Sequence, residues 1–144
     1  MNAGDLSPLV LIGAGGHALV VADAAATCGR SVRGCYDDAV APVACTRLGL
    51  ARLGALGDFS AEGAWIIALG SLASRRRVID AIGGAAQTVI HPSAIISSHA
   101  TIGRGVFVGP RAVVHTCATI GAHCIVNTGA IIEHECELGT NVHI

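Results

Sequence analysis

The chain has 144 residues, 52% hydrophobic and 13% charged, with a formal net charge of −1. That balance is too apolar for intrinsic disorder, and no apolar run reaches the length that spans a bilayer. With no basic excess, neither nucleic acid nor a membrane surface is an expected partner. The start, Met1 to Val10, lacks the basic and apolar regions of a signal peptide, so a soluble cytoplasmic protein is expected. Six cysteines (28, 35, 45, 117, 124, 136) form no C-x-x-C pair, so neither a zinc ribbon nor a redox motif is indicated.

Residues 1–7 are polar and expected to fray. Pro8 to Ile12 is a short continuous apolar run, the pattern of a buried strand. It ends in Gly13-Ala14-Gly15-Gly16-His17-Ala18, followed by an alanine-rich helix from about Ala18 to Cys28. Ser31 to Tyr36 reads as a second strand, ending at Asp37-Asp38. Strand, glycine loop, helix, strand and aspartate form the opening unit of a Rossmann-like, nucleotide-binding α/β fold. Between Ala39 and Gly57 the leucines have mixed spacing, and a short strand is expected near Leu48 to Leu50. Ala64 to Leu69 reads as a buried strand, Leu72 to Ile82 as a helix carrying Arg75-Arg76-Arg77, and Ala86 to Ile90 as a last strand.

From Ile90 the pattern changes. Apolar residues fall on every sixth position: Ile90, Ile96, Ile102, Val108, Val114, Ile120, Val126, Ile132, Leu138 and Ile144. Four residues after each of the first nine stands a compact side chain: Ala94, Ala100, Val106, Ala112, Ala118, Cys124, Ala130, Cys136 and Val142. A period of six fits neither a helix nor an alternating strand. It fits a chain that turns a corner after each short strand, three hexads closing a triangular coil and the coils stacking as a solenoid. Residues eighteen apart, such as Ile96, Val114 and Ile132, then lie above one another. The expected division is 1–90 for the α/β unit and 91–144 for about three coils. The last hexad ends on a core position with no polar cap, so either further coils beyond residue 144 or a partner surface over this edge is expected.

Gly13-x-Gly15-x-x-Ala18 matches the loose dinucleotide fingerprint, whose glycines admit a phosphate at a helix N-terminus, and Asp37 lies where a ribose-binding acid would sit. The pattern leaves open a tight turn without ligand and a nicotinamide enzyme. The coil histidines (91, 99, 115, 123, 134, 143) show no recognised metal-ligand spacing, and no metal is expected. His134 is set apart by its neighbours Glu133 and Glu135. Neutral imidazole is matched to taking a proton from an attacking amine near pH 7, and a carboxylate beside it can fix its tautomer.

Several stretches together resemble one family. They are the Gly13-to-Ala18 loop, Tyr36-Asp37-Asp38, Ala68-Leu69-Gly70-Ser71 with Arg75, His91-Pro92-Ser93-Ala94, Val126-Asn127-Thr128-Gly129-Ala130 and Glu133-His134-Glu135-Cys136. The chain resembles the hexapeptide-repeat sugar acetyltransferases of the sialic acid O-acetyltransferase family, which includes UDP-4-amino-sugar N-acetyltransferases of bacillosamine synthesis and GDP-perosamine N-acetyltransferases. The resemblance implies a left-handed parallel β-helix and acetyl transfer from acetyl-CoA to a nucleotide sugar of bacterial glycan synthesis. It also implies a homotrimer.

Carried over, Gly13, Gly15, Gly16 and His17 hold phosphate or sugar, Asp37 or Asp38 faces the base, and Ser71 and Arg75 complete the nucleotide-sugar set. His134 is then the general base with Glu135 as its partner, and His143 lies near the acetyl-CoA thioester. The family pattern has Asp where this chain has Glu135. N-acetylation of a UDP-4-amino sugar is favoured over O-acetylation of a sialic acid, and a non-catalytic nucleotide-sugar binding module is the reading of another class.

Overall fold

The computed structural model describes residues 7–84 and 86–144; the start expected to fray lies outside the described residues except for Ser7. β1 (Leu9–Ile12) is buried throughout, as befits the interior strand of a parallel sheet. It pairs with β2 (Val32–Tyr36) on one side and β4 (Trp65–Ile67) on the other, and β3 (Arg52–Gly54) lies beyond β2. All pairings are parallel, in the order β3-β2-β1-β4. The direction of winding reverses between β1 and β4, so the crevice above their carboxyl ends is a topological switch point.

Three α-helices accompany this sheet: α1 (Gly16–Thr27), α2 (Val43–Leu48) and α3 (Leu72–Ala81). The stretch expected as a strand at Leu48 to Leu50 is instead the end of α2. Pro42 is its N-cap, Gly49 stops it at φ +66°, and the strand forms three residues later at Arg52. Leucines at mixed spacing carry no period that separates a short helix from a strand.

From Val89 the chain coils through two-residue strands: β5 (Val89–Ile90), β6 (Ile95–Ile96), β7 (Thr101–Ile102), β8 (Phe107–Val108), β9 (Val113–Val114), β10 (Thr119–Ile120), β11 (Ile125–Val126), β12 (Ile131–Ile132) and β13 (Glu137–Leu138). They form three parallel faces: β5-β8-β11 first, β6-β9-β12 second, β7-β10-β13 third. Ile96, Val114 and Ile132 stack in register, eighteen residues apart, and the fold is a left-handed parallel β-helix behind a short α/β unit. The strand expected over Ala86 to Ile90 is shorter, and it pairs with β8 of the coil rather than with the α/β sheet.

The expected core positions from Ile90 to Leu138 and all nine compact ones pack together inside the coil, Cys124 and Cys136 among them. At Gly103, Gly109 and Gly121 a Cβ would come within 2.6–2.8 Å of the backbone of the next coil. Corners recur with the same period: Gly105, Arg111, Cys117, His123, Gly129, Glu135 and Asn141 all have φ between +59° and +70°.

The α/β unit covers the first face. The outward residues of that face, Val89, Phe107 and Ile125, are buried in one cluster with Ala18, Val21 and Ala25 of α1. Small alanines let the helix approach, and each large apolar side chain buried there contributes roughly 1.5–3 kcal/mol. The second face is different, with Ile95 67% and Ile131 61% exposed. Among the described residues no helix is long and apolar enough to cross a membrane.

Candidate active site

The glycine loop stands at the switch point. Gly13, at φ +103°, follows β1, and a Cβ there would lie 2.5 Å from the Leu69 side chain, so this glycine serves the turn itself. Gly15 and Gly16 differ. Neither has positive φ, and a Cβ on either would meet nothing within 4 Å. Packing within the chain does not require them to be glycines; close approach by a ligand would. Gly15 caps α1 without a side-chain hydrogen bond, and no acidic residue occupies the first turn. An uncapped helix start attracts anions.

His17, in that first turn, points at the coil. Its ring meets Phe107 edge-on at 5.3 Å and lies 6.3 Å from the ring of His143. Burial, then the charge of Arg75, then His143 lower its pKa from 6.5 to about 4, so it is neutral at pH 7. Its Nε2 is buried without a hydrogen-bond partner. His143 continues the outward column of the first face, bridging to Ile125. Nδ2 of Asn127 donates to Nε2 of His143 at 3.2 Å, while Oδ1 of Asn127 accepts from the Thr128 amide at 2.9 Å. The second bond fixes which way the amide faces. Glycine loop, His17, Asn127 and His143 therefore form one group at the seam between sheet and coil.

Asp37 braces this loop. Asp37 Oδ2 accepts from the Ala14 amide at 2.7 Å and Oδ1 from the Ala39 amide at 2.8 Å. Asp38 Oδ1 accepts from the Leu56 amide at 3.0 Å. Ser71, at the end of the β4 loop, accepts from the Ser74 amide at 3.3 Å and caps α3.

Arg75 does not face the loop as a phosphate ligand would. It is 1% exposed and its guanidinium is committed to protein acceptors. Nε donates to Oδ1 of Asn141 at 3.0 Å, Nη1 to the carbonyls of Ile67 and Leu69 at 3.1 and 3.0 Å, and Nη2 to the carbonyl of His123.

His134 and Glu135 form the corner between the second and third faces. Nδ1 of His134 lies 3.1 Å from Oε2 of Glu135, both side chains being largely exposed. The His115 ring, one coil below, stands T-shaped to His134 at 6.3 Å. With Nδ1–H donating to the carboxylate, Nε2 carries the lone pair and is free to act as a base. His134 is thus on the corner opposite the first face, which carries His143, and the α/β unit covers only that face and its margin. Among the described residues no group of three or more His, Cys, Asp or Glu is arranged to hold a metal.

Sequence reasoning missed three polar residues. Asn127 orients His143; His123 and Asn141, both buried, dock the third corner, between the third and first faces, on the α/β unit. His123 stacks on Trp65 at 6.5 Å and 19°. Polar residues on a corner are visible in the repeat, but which corner is covered is not.

Residues 8–82 match the PglD N-terminal domain family. No curated protein matches the chain. Among solved structures, a His-to-Asn mutant of perosamine N-acetyltransferase from Caulobacter crescentus, in complex with CoA and GDP-perosamine, is similar at TM-score 0.80 and 30% identity, over 96% of this chain and 69% of that one. The acetyltransferase domain of PglB from Neisseria gonorrhoeae, in complex with acetyl coenzyme A, is similar at TM-score 0.82 and 33% identity, over 94% of this chain and 69% of that one. The resemblance seen in the glycine loop and the hexads is therefore one of descent as well as pattern: the chain belongs to the PglD family of sugar N-acetyltransferases.

Proposed function

We propose that this enzyme transfers acetyl from acetyl-CoA to the amine of a nucleotide-activated amino sugar, with a UDP-4-amino sugar as the favoured acceptor. The observation that carries the reading is similarity along 96% of the chain to an N-acetyltransferase whose structure holds CoA and GDP-perosamine. Two open glycines at the switch point support a phosphate there, and the unpartnered Nε2 of His17 supports a polar ligand against the coil. Residues 1–90 hold the nucleotide sugar and 91–144 the acetyl group in this reading.

His134, its Nδ1–H held by Glu135, takes the proton of the ammonium at Nε2. The freed amine attacks the thioester carbonyl, forming the C–N bond. The C–S bond then breaks, the CoA thiolate takes the proton from the imidazolium, and the second proton of the former ammonium leaves the new C–N nitrogen for water as the amide forms. Cys136 packs inside the coil, so no acyl-cysteine is invoked.

His134 sits on the corner opposite the first face, which carries His143, so in this reading one copy supplies the base and another the His17–His143 group. The apolar second face, exposed at Ile95 and Ile131, borders the His134 corner and supports a homotrimer built across it. A cytoplasmic site of action follows from acetyl-CoA and nucleotide sugars as substrates.

Calorimetric titration with UDP, GDP, CMP and NADH tests the nucleotide side. Selective UDP binding is expected. Selective GDP binding would move the acceptor to the class in the perosamine complex. Binding of NADH alone would defeat the nucleotide-sugar reading.

A further inference from the structure

Arg75 is the largest charged group buried among the described residues, and none of its hydrogen-bond acceptors is a carboxylate. Burial pushes its pKa down to about 10. A buried charge with only neutral acceptors adds little stability; well-packed apolar side chains commonly do as well or better. The guanidinium instead has a planar fork of donors that fixes several acceptors at once.

Those acceptors lie on opposite sides of the seam. Ile67 and Leu69 belong to β4 and the loop after it, which ends at Gly70-Ser71 beside His17; a Cβ on Gly70 would lie 3.6 Å from the His17 Cβ. His123 and Asn141 belong to the third corner of the coil. Asn141 closes the circuit, its Nδ2 donating to the Leu72 carbonyl at 3.1 Å. Two residues after Asn141 comes His143, whose ring is tied to Asn127 and lies near His17.

We infer that Arg75 and Asn141 are positioning residues for acetyl transfer: their clasp fixes the nucleotide-side loop against the coil corner that leads into His143. They touch neither substrate and act by holding the two halves of the site at one separation. A shift of about an ångström between reacting groups can cost on the order of a hundredfold in rate. The inference rests on the acetyl-transfer reading.

The test uses the whole protein with acetyl-CoA and a UDP-4-amino sugar, and GDP-perosamine as a second acceptor. Asn141→Gly tolerates the positive φ of 61° and removes the side chain that holds Arg75 and the Leu72 carbonyl. Arg75→Lys keeps the charge and cannot span four acceptors. Asn141→Gly, checked for folding by thermal unfolding, is expected to lower kcat about ten- to a hundredfold. KM for each substrate should stay within about twofold, the signature of a loss felt only in the transition state.

Arg75→Lys should show the same split if it folds. Unchanged kcat in folded Asn141→Gly overturns the inference, because a merely architectural contact would lower Tm alone. A raised KM for the nucleotide sugar in Arg75→Lys with kcat intact also overturns it, by putting Arg75 on the nucleotide. If the wild-type protein releases no CoA with either acceptor, the acetyl-transfer reading falls and the clasp is decided by NMR. The rings of His17 and His143 should then shift in Asn141→Gly; unmoved resonances on both overturn it.

Discussion

The second and third corners of the coil have the same backbone and opposite surroundings. Each turns on a residue near φ +60°: Cys117 and Glu135 on the second, His123 and Asn141 on the third. The third corner is pressed against the α/β unit. His123 is 5% exposed, stacked on Trp65, and held below the usual histidine pKa by burial first and then by Arg75, Arg104 and Arg76. The second corner is open, and His134 there has a carboxylate within 3.1 Å. A histidine in a hexad is thus neither structural nor catalytic by its place in the repeat. Burial makes the third corner a joint, and exposure with a charged partner makes the second a candidate for proton transfer.

The contrast breaks most sharply at His134. His134→Ala should lower kcat about 10²–10⁴-fold with the fold intact, measured as CoA release under saturating substrates. Near-normal turnover would remove the distinction between the corners. His123→Asn is the counterpart. It suits the positive φ but loses the stack on Trp65, and should cost about 1–3 kcal/mol in denaturant unfolding.

A smaller effect lies in pH. The folded pKa of His17, about 4, is below its unfolded value of 6.5. The unfolded chain therefore binds the proton first, and stability is full above about 6.5 and declines as pH falls toward 4. His17→Gln should flatten the fall in Tm across that window. Smallest of all, Cys117→Asn, placing a residue that tolerates φ +59° on the open corner, should raise stability by up to about 1 kcal/mol in the same unfolding assay.

The inside of the coil is legible residue by residue, because a six-residue period states which side chains point inward whatever lies outside. The corners are not. His123, Glu135 and Asn141 hold the same place in the hexad, and only the path of the α/β unit over the first face and third corner separates them. In the sequence Arg75 reads with Arg76 and Arg77 as one basic run. A finer signal exists: Arg75 and Val78, three apart on α3, share its buried face, while Arg76 pairs with the exposed Asp80. The glycine loop is readable as a loop. That Gly13 serves the turn while Gly15 and Gly16 face open space requires knowing where Leu69 lies.

A site shared between copies is tested most directly by complementation. His134→Ala and His143→Ala, each expected to be inactive alone, are coexpressed with different tags and the doubly tagged assemblies purified. If one copy supplies His134 and its neighbour His143, one of the three interfaces in every doubly tagged trimer carries both histidines, about a third. CoA release from acetyl-CoA and a UDP-4-amino sugar should return to about that fraction of wild type. Mixed assemblies as inactive as either parent would contradict a site built from the open corner of one copy and the seam of the next.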